Sequence, residues 1–273
     1  MIKLLWRYIM DNKIEQPIYG NWISKSLIIK VLILFIFFLS IEILLLVFMP
    51  DYIFLKIIIA FFSLFFFISI IYFIYAKWLF SARGGDIQNK TIDLLIKEIK
   101  WDGKGKVLDI GCGSGLLAIK IAKIYNNAKI TGIDYWGKEF NYCQKQCEDN
   151  ARIENVDHCI EFLKASATNL PFADENFDLV ISNLTFHEVR SGKNKIDLIK
   201  EALRVLKKGG KFVFQDLFLI KYYYGTPEQL ISNIKALGVK EANFINTSQS
   251  SFIPKSLKLS FMLGTLGLIC GEK

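Results

Sequence analysis

The chain has 273 residues, 52% of them hydrophobic, and a formal net charge of +8; it can hold one large or two small domains and is too apolar to be soluble throughout. The positive balance raises nucleic acid or an anionic membrane surface as a partner. Its placement favours the membrane and leaves nucleic acid unsupported: Lys3, Arg7, Lys13, Lys25 and Lys30 precede the apolar region, Lys77 and Arg83 follow it, and no basic stripe with interleaved aromatics comes later.

Residues 1–30 form a basic N-terminal segment in which Leu4, Leu5, Trp6, Tyr8 and Ile9 could lie on a bilayer or close over a ligand as a lid. Residues 31–80 then read as a transmembrane helical hairpin. Val31–Met49 is interrupted only by Ser40 and Glu42, and Ile57–Ala76 contains no charge, so each run can cross ~30 Å of hydrocarbon as a helix. Pro50 and Asp51 stop the first helix and start a tight reversal. The basic residues flank the hairpin's two ends rather than its tip, where Lys56 stands alone, which predicts two spans with both termini and the following domain on the cytoplasmic side. Trp22, Tyr72, Tyr75 and Trp78 suit the headgroup zone of that face. Glu42 is the one ionisable group deep in a span, and Lys56 is a candidate partner for it.

Residues 81–273 read as a globular α/β domain. A leading helix carries Ile92, Leu95, Ile96 and Ile99 behind a cap at Thr91. Lys106–Ile110 is a strand, Gly111–Gly115 a glycine loop, and Leu116–Tyr125 a helix; Ala128–Ile133 is a second strand that ends at Asp134. A polar helix with Phe140 and Cys147, a strand at Ile160–Leu163 and a strand at Phe177–Ser182 follow. The helix marked by Ile196, Ile199, Leu203 and Leu206 is closed by Lys207, Lys208 and Gly209, before a strand at Lys211–Gln215. Thr226, Pro227 and Gln229 have capping-box spacing at the head of another helix, and two last strands are expected near Asn243–Thr247 and Leu266–Cys270. The alternation predicts a doubly wound, mostly parallel seven-stranded sheet of the Rossmann-like kind, with ligands beyond the strands' carboxyl ends.

Between the first strand and its helix, Asp109-Ile-Gly111-Cys112-Gly113-Ser114-Gly115 can bring bare backbone against a ligand and turn N–H groups outward. A nicotinamide loop would need a glycine where Leu116 stands, which disfavours an oxidoreductase. The stretch VLDIGCGSG, Val107–Gly115, resembles the first motif of class I S-adenosylmethionine-dependent methyltransferases. Asp134, the loop Ser166–Phe172, the strand Phe177–Asn183 and the turn Leu206–Gly210 resemble later motifs of that family in order and spacing. The resemblance implies S-adenosyl-L-methionine as cofactor, held by Asp109, Gly111, Cys112, Gly113, Gly115, Asp134, Tyr135, Ser166, Ala167 and Asn183. It implies that the Asp134 carboxylate accepts from both ribose hydroxyls, with Tyr135 or Trp136 over the adenine. Ser166 departs from the family's usual Asp, and a hydroxyl there is a weaker acceptor for the adenine amino group.

His187, in Asn183-Leu-Thr-Phe-His187-Glu188 after the fourth strand, is the candidate catalytic base, oriented by Glu188; Asp216 is a second candidate, lining the pocket. Cys143 and Cys147 begin an iron–sulfur spacing, but Asn150 stands where the third ligand would fall, and His158 with Cys159 makes no zinc pattern; no metal is expected. The five cysteines, 112, 143, 147, 159 and 270, are an odd number without framework spacing and suit reduced thiols in the cytosol. A hairpin fused to such a domain points to a lipophilic acceptor, a lipid headgroup, isoprenoid or quinone precursor, and Phe252–Leu263 could lie against the bilayer beside it. The same chemistry on a soluble small molecule or protein, and a nonenzymatic binding module on a membrane, remain the alternatives.

Overall fold

The computed structural model describes residues 16–137, 142–190 and 195–273. Two long helices come first. α1 (Lys25–Phe48) starts where the Ser24 hydroxyl accepts from the Leu27 amide, six residues before the apolar run at Val31 begins, because a polar cap and not hydropathy sets the first turn. α2 (Ile53–Phe80) follows the Pro50 reversal. The pair is held by rings: Phe38 stacks on Phe62 at 5.2 Å and on Phe66 at 5.4 Å. Only Val31 and Leu45 of α1 are buried, and most of its outward apolar side chains are exposed among the described residues. Lys56 does not meet Glu42; its Nζ donates to the Pro50 carbonyl at 2.7 Å.

The globular part begins with α3 (Ile87–Lys97), five residues earlier than a cap at Thr91 implies. Thr91 is not its cap. It lies inside the helix, where its hydroxyl donates to the Ile87 carbonyl at 2.7 Å, the local bond that makes a mid-helix threonine tolerable. The chain continues through β1 (Gly105–Ile110), α4 (Leu116–Ile124), β2 (Ala128–Asp134), α5 (Gln144–Ile153), β3 (Ile160–Lys164), β4 (Phe177–Asn183) and α6 (Ile196–Val205). It ends with β5 (Leu206–Asp216), the short α7 (Lys221–Tyr224), α8 (Pro227–Ala236), β6 (Glu241–Ile245) and β7 (Gly267–Glu272). Lys207, Lys208 and Gly209 therefore do not close a helix; β5 starts at Leu206, and Gly209 makes its turn at φ +75°. The capping box at Thr226 and Gln229 is present. The Phe140 part of the polar helix and the Leu4–Ile9 lid lie outside the described residues.

All seven strands share one sheet in the order β3-β2-β1-β4-β5-β7-β6. β1 to β5 run parallel, and β7 pairs antiparallel with both β5 and β6. This is the Rossmann-like methyltransferase topology, with β1 and β4 side by side at the switch point where ligands bind. Apolar side chains fill a layer on each face of the sheet.

A third cluster joins the two parts of the molecule. Ala76, Leu79 and Phe80 at the end of α2 pack with Ile23, Ile87, Leu217, Ile253, Leu257, Leu263 and Leu266. The segment Phe252–Leu263 thus does more than lie flat on a surface: Ile253, Leu257 and Leu263 anchor it in the cluster at the end of α2, while Phe261 is 62% exposed.

Candidate active site

The parallel strands converge on one large cavity of about 870 Å³ beyond their carboxyl ends, near the top of the roughly 300–1,000 Å³ range of small-ligand sites. Of the residues singled out in the sequence, Asp109, Gly111, Cys112, Gly113, Asp134, Tyr135, Ser166, Ala167, Asn183 and His187 line it; Gly115 and Asp216 do not. Gly115 serves the fold instead: at φ +83° it leads into α4, and a Cβ there would stand 3.0 Å from the Phe162 ring.

The glycine loop is shaped by contacts sequence could not supply. Gly111 has φ +74°, and an added Cβ would clash with the Thr185 side chain; the Thr185 hydroxyl in turn donates to the Ile110 carbonyl at 3.1 Å. The loop's N–H groups do not turn outward as expected. Those of Gly111 and Cys112 donate to the Ile133 carbonyl at 2.8 and 2.9 Å, and that of Gly113 donates to Asp134 Oδ2 at 2.9 Å. The loop approaches a ligand because it lacks side chains, and β2 consumes its amides.

Asp134 therefore works in two directions. Oδ1 accepts from the Trp136 amide at 2.7 Å, and the Trp136 indole N–H donates to the Gly113 carbonyl at 2.9 Å. Each carboxylate oxygen still has a lone pair left for a ligand hydroxyl. Tyr135 stands at the rim, 68% exposed, with the Lys164 ammonium 5.5 Å from its ring centre. Ser166 spends part of its capacity on Thr168, whose hydroxyl lies 2.8 Å away. The loop that holds it is clamped by Arg204, which donates to the carbonyls of Leu170 and Phe172.

Asp109 is 1% exposed, and neither of its carboxylate oxygens has a hydrogen-bond partner among the described residues. Burial, then the Asp134 charge, push its carboxyl up to about 8; the Ala118 amide offsets this slightly from outside hydrogen-bond geometry. Gln88 Oε1, also on the cavity wall, is another buried acceptor without a donor. Two unanswered acceptors on one wall fit a ligand that brings a cationic amino group. With the bare glycine cradle and a carboxylate placed for two hydroxyls, the site fits an amino-acid-bearing nucleoside such as S-adenosylmethionine.

His187 differs from expectation. Its Nδ1 lies 2.5 Å from Asp216 Oδ1, and its backbone N–H donates to Asp216 Oδ2 at 3.2 Å. Nε2 stands 3.4 Å from Glu188 Oε1. Burial by itself would lower the imidazole pKa, but the Asp216 and Glu188 carboxylates outweigh it and raise it to about 10. Both carboxylates thus favour the protonated ring, and Asp216 fixes its orientation through Nδ1. Asp216, fully buried, is its counterion rather than a pocket wall. The β4–β5 register explains the meeting: Asn183 sits opposite Gln215, so both chains leave the sheet at the same level.

Several wall residues carried no sequence signal. The segment just before α1 crosses the glycine loop: the Ser114 hydroxyl donates to the Tyr19 carbonyl at 2.8 Å, and the Ile18 amide donates to Asn150 Oδ1 at 2.7 Å. It delivers Trp22 and Ile23 to the cavity. Trp22 packs on Phe80 with ring centres 5.3 Å apart. Tyr142, its phenol pushed up to about 12 by burial and the Asp134 charge, donates to the Asn21 carbonyl at 3.4 Å. Cys147 is buried and donates to the Gly113 carbonyl at 3.1 Å, a packing role.

Comparison with known proteins agrees with this geometry. Residues 108–214 match the family model described as a methyltransferase domain. The chain is 33% identical over 140 residues to 27-O-demethylrifamycin SV methyltransferase of Amycolatopsis mediterranei, covering 51% of this chain and 48% of that one. It is 26% identical over 163 residues to the ubiquinone/menaquinone biosynthesis C-methyltransferase UbiE of Geotalea daltonii, covering 59% and 66%. The chain thus spans about half the length of the first of these relatives and 66% of the second. Among solved structures, geranyl diphosphate C-methyltransferase from Streptomyces coelicolor, determined with S-adenosyl-L-homocysteine, superposes with a TM-score of 0.51 at 13% identity, over 67% of this chain and 75% of that one. The [4+2]-cyclase SpnF superposes with a TM-score of 0.52 at 20% identity, over 68% and 81%. At such identities these two establish the fold, which is compatible with more than one reaction.

Proposed function

The globular part of this chain is a class I S-adenosylmethionine-dependent methyltransferase domain, and from that premise we propose that the protein transfers a methyl group to a lipophilic acceptor while its two apolar helices hold it at a membrane. The division at residues 31–80 and 81–273 follows, with both termini and the catalytic domain on the cytoplasmic side. The observation that carries the chemistry is the wall on which Asp109, the glycine loop and Asp134 converge.

When bound, S-adenosylmethionine supplies an electrophilic methyl on a sulfonium, so a protein group need not act as a nucleophile. Asp109 and Gln88 offer acceptors to the amino-acid part. Asp134 offers lone pairs to the ribose while its bonds to Gly113 and Trp136 fix its rotamer. Trp136 and Tyr135 supply aromatic faces for the base, and Ser166 and Ala167 border its edge. His187 and Glu188, past Asn183, present a fixed cation and a carboxylate to the acceptor's polar group. They orient it by charge.

The lipophilic acceptor is supported by the exposed apolar faces of α1 and α2 and by relatives that include a quinone-pathway methyltransferase. The test is to incubate full-length protein with S-adenosylmethionine labelled in its methyl group and, separately, total membrane lipid or cytosolic extract. Label recovered in the organic phase supports the proposal; label only in the aqueous phase refutes the lipophilic acceptor.

A further inference from the structure

The cavity wall changes character along its length. Its far end is made by Trp22, Ile23, Phe80, Leu217, Met262 and Leu263, all apolar and all belonging to, or packed against, the cluster at the end of α2. No nucleoside contact calls for this arm. Phe261 both lines the cavity and is 62% exposed, so it stands at the mouth.

The mouth is fixed to α2. The Tyr72 hydroxyl donates to the Ser256 carbonyl at 2.9 Å, and the Tyr72 and Phe261 ring centres are 6.5 Å apart. Tyr72 lies about two turns before the helix ends at Phe80, so a helix that spans a bilayer places the opening at the depth of the headgroups. The surround suits that depth: Leu259, Tyr75 and Trp78 are exposed, with Lys255 and Lys258 nearby in sequence to face anionic lipid. The loop also closes many of its backbone bonds on itself, Leu257 N–H to the Pro254 carbonyl, Leu263 N–H to Leu257 and Gly264 N–H to Leu259, as an interfacial position requires.

We propose that this arm is a lateral channel through which a single-chain amphiphile passes from the bilayer, its hydrocarbon lying along Phe80, Leu217 and Leu263 and its polar group reaching His187 and Glu188. The proposal rests on the methyl-transfer reading for the purpose of the channel, though not for its existence. It makes Phe80, Leu217 and Leu263 specificity-determining for the hydrocarbon part of the acceptor.

The test uses full-length protein in nanodiscs of phosphatidylcholine with a minor share of phosphatidylglycerol. The probe is a fatty acid that carries a photoactivatable diazirine on its chain and an alkyne tag. After irradiation, labelled residues are mapped by mass spectrometry. The channel predicts label on Phe80, Leu217 and Phe261–Leu263, and movement of the label inward from Phe261 towards Leu217 as the diazirine is placed nearer the carboxyl end. Leu217→Trp and Leu263→Trp fill the arm and lower that label about tenfold, while label on the outward faces of α1 and α2 stays constant. Label confined to those outward faces, or indifferent to diazirine position in the wild-type protein, overturns the channel. Affinity for S-adenosylhomocysteine in the same nanodiscs separates the two readings: its loss from wild type defeats methyl transfer and leaves the channel standing, whereas normal affinity without inner label does the reverse.

Discussion

The two ends of the cavity are built by opposite means. At the strand ends, the wall is polar and pre-shaped by short-range chemistry: positive-φ glycines, a carboxylate bonded to two amides, and buried acceptors without donors. At the α2 end it is apolar and assembled from four distant parts of the chain, residues 22–23, 80, 217 and 261–263. The first kind of wall recognises a fixed set of polar atoms. The second recognises little except hydrocarbon and shape, so variation in acceptor between proteins of this fold is free to reside there without disturbing the cofactor side.

The largest effect expected from breaking this contrast comes at the seam. His187→Ala leaves Asp216 buried without its counterion and should lower folding stability by about 3–5 kcal/mol, read by chemical denaturation. The sign with pH is definite. The folded imidazole, at about 10, lies above its ordinary 6.5, so its contribution is full below pH ~6.5 and is lost as pH rises towards 10. A His187 resonance, assigned by its loss in His187→Ala, that titrates near 6.5 in the folded protein contradicts this.

Next is the polar end. Asp134→Ala removes the ribose acceptor and frees the Gly113 and Trp136 amides, and should weaken S-adenosylhomocysteine binding roughly 100-fold, about 3 kcal/mol, by calorimetry. Lipid-probe labelling at Phe261 should not change, which sharpens the separation of the two ends.

Smaller still, Gly111→Ala must tolerate φ +74° and displace Thr185, at about 1–2 kcal/mol from backbone strain alone, seen as a lower melting temperature.

The subtlest is a proton. With its carboxyl at about 8, Asp109 is mostly protonated at pH 7, and a cationic amino group bound beside it drives the proton off. Calorimetry in buffers of different ionisation heat should therefore show release of close to one proton in wild type at pH 7 and none in Asp109→Asn. Because the unfolded carboxyl ionises first, this residue also makes the ligand-free protein less stable as pH rises from ~4 to 8.

The contrast also explains what the sequence disclosed. Strand–helix alternation, Asp109, Asp134 and the glycines were legible because they sit within a few residues of the turns they make. The partner of Trp22 was hidden because Phe80 is adjacent only after the hairpin closes. The partner of His187 was not legible because Asp216, on the neighbouring strand, meets it only through the β4–β5 register. Thr91 mimicked a cap because a helix start four residues upstream has Asp86 in a left-handed conformation and no side-chain cap.

The most direct measurement is a titration of the full-length, folded protein with S-adenosylhomocysteine, followed by heat. Saturable binding, weakened roughly 100-fold by Asp134→Ala and accompanied by the Asp109 proton, is the predicted result. No heat with either that nucleoside or S-adenosylmethionine would contradict the assignment of the polar end, and with it the proposed reaction.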